Sequence, residues 1–91
     1  MEKFFREWLE GNTSLSESSI GKYTRAIRAT TKDMLAEGII DRDLYTVSSS
    51  KEFDVIMKDI VSNRFFELKD TKGNRMYSVA MHHYYDFLKS R

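Results

Sequence analysis

With 91 residues, 41% of them hydrophobic and 32% charged, and a formal net charge of +1, the chain has material for one modest hydrophobic core. The absence of cysteine excludes a disulfide framework, a thiolate metal site and a thiol nucleophile. No stretch approaches the roughly 20 apolar residues that cross a bilayer, and the first residues lack a signal-peptide core, so a cytoplasmic protein is expected.

The chain contains no proline and is rich in helix formers, which favours an all-α fold. Residues 2–10 predict a short helix in which Phe4, Phe5, Trp8 and Leu9 form a wide apolar stripe. Gly11-Asn12 ends it. The organising element is Leu15–Glu37, read as one long helix with Ser16 as N-cap and a hydrophobic staple from Leu15 to Ile20. Gly38 stands where a left-handed residue closes such a helix. Ile20, Tyr23, Ile27 and Met34 predict its buried stripe. Lys22, Arg25, Arg28 and Lys32 return to another side at steps of three and four.

Residues 39–45 read as a compact connector in which Asp41 caps a single turn. Ser49 and Glu52 then form a capping box before a helix at about 50–63, with Phe53, Ile56, Met57, Ile60 and Val61 on one stripe. Phe65, Phe66 and Leu68 make an apolar patch on a connector or short helix. Thr71-Lys72-Gly73-Asn74 supplies turn chemistry before a last helix at about 74–89. Tyr77, Ala80, Tyr84, Phe87 and Leu88 face its core, and Arg75, Ser78, His82, Tyr85 and Lys89 point away. The expectation is a single domain over 1–91, a bundle of about four helices, either entire or the N-terminal module of a longer protein.

Catalytic chemistry is thinly represented. His82 and His83 are adjacent on a helix and point about 100° apart, so they do not chelate one ion as an i, i+4 pair does. Asp41 and Asp43 lack the further oxygen ligands of a calcium loop. Gly73 alone makes no phosphate cradle. We therefore expect no catalytic residue, no metal and no cofactor, and a protein that is not an enzyme.

Charge is unevenly placed. Residues 38–63 carry three basic and five acidic side chains, whereas residues 64–91 carry six basic and three acidic ones. Lys69, Lys72, Asn74 and Arg75 enter the last helix at its N-terminus, where unpaired amides and a partial positive charge favour anions. If that terminus adjoins the basic face of the long helix, Lys22, Arg25, Arg28, Lys32, Lys72 and Arg75 line a groove suited to a phosphate backbone. Base reading would fall to Ser18, Asn74 and Ser78 at the helix edge. The alternative is a basic face kept for solubility alone. Val79 and Met81 as exposed apolar residues would suit a protein partner instead, and the first helix would suit self-association.

The order F-x-x-W-L at Phe5 to Leu9, S-x-S-S-I-x-x-Y-x-x-A-I at Ser16 to Ile27 and N-R-M-Y-S-V-A-M-x-x-Y-x-x-F-L at Asn74 to Leu88 resembles the N-terminal core-binding domain of tyrosine recombinases. Gly73 to Ala80, with I-D-R-D-L-Y at Ile40 to Tyr45, resembles more closely a helical domain at the N-terminus of some bacterial restriction proteins, among them HNH endonucleases and methylation-dependent restriction GTPase subunits. The resemblance implies a SAM-like bundle that contacts duplex DNA through the helices equivalent to Ser16–Glu37 and Asn74–Lys89. It implies a non-catalytic targeting module, since no nuclease motif or recombinase catalytic domain is present. The rival expectation is a protein-interaction module, such as a phage-encoded inhibitor or an adaptor.

Overall fold

A computed structural model describes all residues from Met1 to Arg91 as five α-helices, joined by short links except for the longer connector over residues 37–49. The helices are α1 (Glu2–Asn12), α2 (Glu17–Ala36), α3 (Ser50–Val61), α4 (Arg64–Lys72) and α5 (Met76–Lys89), with a single 3-10 turn at Leu44–Thr46. The all-α expectation holds. The expected count of about four does not, because the Phe65–Leu68 patch belongs to a full helix. Asn63 starts that helix by accepting from the Phe66 amide at 2.9 Å.

The boundaries of α2 follow from its ends. Ser16 accepts from the Ser19 amide, and Leu15 and Ile20 both pack inward beside the cap. At the other end Gly38 takes φ 72°, the Gly38 amide donates to Leu35 and the Ile39 amide to Met34. This pair of reversed bonds closes the last turn, and only a residue without Cβ adopts that φ without strain. The cap at Ser49 also holds, but Glu52 turns to Arg42 at 3.0 Å and so completes no reciprocal box. Asp43, and not Asp41, caps the 3-10 turn through the Tyr45 amide.

α2 and α5 form the central pair, with α1 and α3 packed on their flanks. Tyr84 of α5 lies at the centre, fully buried and in contact with the rings of Phe5, Tyr45, Phe53 and Phe87. Its hydroxyl donates to the Val47 carbonyl at 3.0 Å, and that of Tyr45 donates to the Thr24 carbonyl at 2.7 Å. Both phenols are held neutral, since burial pushes their pKa values above the usual tyrosine range. These bonds tie the connector to the helical pair and leave no orphaned phenol in the core.

Several side chains depart from their expected places. Phe4 is 58% exposed and lies beside the Arg91 guanidinium, so α1 buries Phe5 and Leu9 and only part of Trp8. Val61 is exposed, whereas Met81 is fully buried. Tyr85 is half-buried with the Lys89 ammonium over its ring. The inner face of α2 is more polar than its apolar stripe suggested. Thr24, Thr30 and Thr31 are buried there, while Tyr23 is only half-buried against His83.

Candidate nucleic-acid interface

The basic side of α2 is real and exposed. At about 100° per residue, Lys22 and Arg28 stand about 120° apart, with Arg25 and Lys32 between them. All four side chains reach solvent. Three have no carboxylate within ion-pair distance; the fourth, Arg28, meets Glu2 of α1 at 3.3 Å. That pair is open to water and exchanges readily. Arg25 folds its guanidinium back over Gly21, where a Cβ would stand 3.1 Å from it. The glycine thus leaves room for the arginine to lie along its own helix.

The edge of this face nearest Lys22 borders the start of α5. Lys22, Arg25, Ala26 and Ala29 line a cleft of about 360 Å³ with Met76 and Tyr77. The side of Tyr77 approaches Gly73 closely, and the Lys69 ammonium lies 5.0 Å from its ring centre. Lys69 is hydrogen-bonded to Asp33 of α2, and this bond holds its pKa above the ordinary lysine value. One turn along α4, the unpaired Lys72 lines an apolar recess with Lys69, Phe65 and Leu68. Cleft, ring and lysines are therefore neighbours in one path from α2 to α4.

The start of α5 differs from expectation. Asn74 and Arg75 do not open the helix; both take left-handed backbone conformations, at φ 56° and 63°, in the link from α4. Nor is the terminus a set of unpaired amides. The buried Asp70 carboxylate accepts from the Ser78 amide at 3.0 Å, and the Met76 amide donates to the Gly73 carbonyl at 3.1 Å. A carboxylate in that position offsets the helix dipole and repels a phosphate. Ser78 is half-buried and its hydroxyl donates to the Arg75 carbonyl, which leaves its oxygen lone pairs as acceptors. Asn74, Arg75 and Lys72 remain exposed, and neither cation is paired.

Among the expected interface residues, Lys22 and Arg25 are thus brought to the α5 cleft, and Lys72 lies beside Lys69 on α4. Arg28 leans toward α1. Asp70 and Gly21 escaped the sequence reading; Asp70 had a signal in its position eight residues before Ser78 across a turn sequence. No cluster of three or more metal-ligating side chains is present, and no helix is long and apolar enough to cross a membrane. No protein-family model, curated protein or solved structure matches the chain.

Proposed function

We propose that this protein is a non-catalytic, SAM-like DNA-binding module of a restriction- or recombination-related system, which grips duplex DNA mainly through its backbone. The observation that carries the reading is the run of unpaired, exposed cations, Lys22, Arg25 and Lys32 on α2 with Lys72 and Arg75 beyond the cleft. Side-chain charge supplies the affinity, because Asp70 already occupies the start of α5. The resemblance to recombinase and restriction domains supports the same pair of helices. Net charge of only +1 is compatible with this, since the acidic residues of 38–63 belong to the connector and α3.

About four neutralised phosphates give a log–log salt slope near −3.6, or roughly a 150-fold loss of affinity between 50 and 200 mM salt. Fluorescence anisotropy with 20-base-pair duplexes measures it. Undetectable or salt-insensitive association contradicts the reading.

A second reading has its own observation. Phe65 and Leu68 of α4 are 50% and 56% exposed beside Lys72, an apolar patch suited to a protein partner. Under this reading the chain is an adaptor or an inhibitor of another complex. Affinity capture that recovers a protein but no nucleic acid, and that fails with Phe65→Ser/Leu68→Ser, favours it over the first.

A further inference from the structure

The cleft between α2 and α5 has the makings of more than a groove for phosphates. Ala26 and Ala29 give it depth, because a larger side chain at either place would fill it. Tyr77 offers an aromatic ring whose position is set by its neighbours outside the cleft lining. Gly73 admits the ring closely, and Lys69, itself anchored on Asp33, sits 5.0 Å from its centre. Lys22 and Arg25 are exposed at the rim and unpaired, and no carboxylate lines the space. An aromatic wall beside two unneutralised cations matches a ligand with a flat π-face and an attached anion.

We infer that this cleft is a nucleotide subsite: a planar base lies against Tyr77 and Met76 while its phosphates meet Lys22 and Arg25. The inference rests on the nucleic-acid reading, and it adds that the nucleotide received is an unpaired one. A base in a matched duplex is stacked and paired, so its π-face is inaccessible to a side wall. A bulged or single-stranded nucleotide has its face open, and every base has such a face, so the subsite is indifferent to sequence. The rim carries cations without carboxylates, a donor set suited to the single charges of a phosphodiester. A free mononucleotide shares the chemistry and is the other source of the ligand.

Anisotropy titrations of the full chain with a matched 20-base-pair duplex, the same duplex carrying one bulged 2-aminopurine, and a free 2-aminopurine nucleotide separate the cases. The bulged duplex is expected to bind about 5- to 150-fold more tightly than the matched one, the range of one base–aromatic stack, with quenching of its fluorescence. Tyr77→Ala should remove that excess and Tyr77→Phe retain it. Ala29→Leu fills the cleft without deleting a contact and should also remove the excess, so the test survives if Tyr77→Ala does not fold. Equal affinity for bulged and matched duplexes overturns the subsite and leaves the duplex interface standing. Binding of the free nucleotide alone, lost in Ala29→Leu, keeps the subsite and overturns the DNA reading. Binding of none of the three overturns both.

Discussion

Along α2, Lys22, Arg25 and Lys32 stand exposed with no carboxylate within ion-pair distance, whereas at the start of α5 the buried Asp70 already holds a first-turn amide. Both regions carry positive potential, one from side chains and one from backbone dipoles. The first is left open to solvent, and the second is consumed by the fold. The difference lies in reach. Of the four cations on the α2 face only Arg28, at its edge, is ion-paired, with Glu2. Asp70 ends the buried side of α4 and is delivered to α5 by the tight link that follows. A helix terminus is therefore an anion site only if its neighbour has not supplied the anion.

The contrast breaks most sharply at Asp70. Asp70→Ala leaves the Ser78 amide without its acceptor and should destabilise the fold by about 1–3 kcal/mol. In a domain of this size that lowers Tm by roughly 4–8 °C per kcal/mol. Asp70→Asn keeps an acceptor, so a far smaller loss is expected. If Asp70 also repels phosphate, the asparagine variant binds duplex DNA more tightly than wild type in the same anisotropy assay.

Arg75 sharpens the comparison because its two properties oppose each other. Its left-handed φ of 63° strains a side-chain-bearing residue, so Arg75→Gly should stabilise by about 1 kcal/mol in urea unfolding. The same change removes one exposed cation and should make the salt slope about 0.9 less steep. A glycine variant that is less stable would show that the arginine side chain holds the link.

At the α1 edge, Arg28→Ala breaks an exposed ion pair with Glu2 and should cost no more than about 1 kcal/mol. Its effect on DNA affinity should be smaller than that of Arg25→Ala, since Glu2 already offsets part of its charge.

The smallest expected effect concerns His83, whose contact with Tyr23 joins α5 to α2. Burial holds its pKa below the ordinary histidine value. The unfolded chain therefore takes up a proton first as pH falls below about 6.5, and stability should decline from there toward the lower native value. Melting curves at pH 7.5 and 5.5 for wild type and His83→Gln isolate this contribution as the part of the decline that the variant lacks.

Much of this arrangement is legible in the residues themselves. Ser16, Ser49 and Gly38 announce helix ends through local chemistry, and each acts as its position implies. The recurrence of cations on α2 at steps of three and four is equally local. What escaped is what depends on residues distant in sequence. α4 buries only Phe66 and Asp70, so its apolar Phe65 and Leu68 face solvent and no clean helical stripe survives to be read. The cap at Asn63 was its one local sign. Thr24 sits in the interior where Arg6 of α1 donates to its hydroxyl at 3.4 Å, and Thr31 where its hydroxyl receives the Leu44 amide. Neither partner is suggested by polarity along the helix. The pairing of Arg28 with Glu2 likewise needed the docking of α1 to appear.

The most direct measurement compares charge reversal on two faces of the same molecule. Lys22→Glu/Arg25→Glu should abolish most duplex affinity, flatten the salt slope by about 1.8 and leave Tm nearly unchanged. Lys51→Glu/Lys58→Glu, on the mixed-sign outer face of α3, should alter affinity little by comparison. Equal losses in the two variants, or none in the first, would contradict the assignment of the α2 face to DNA.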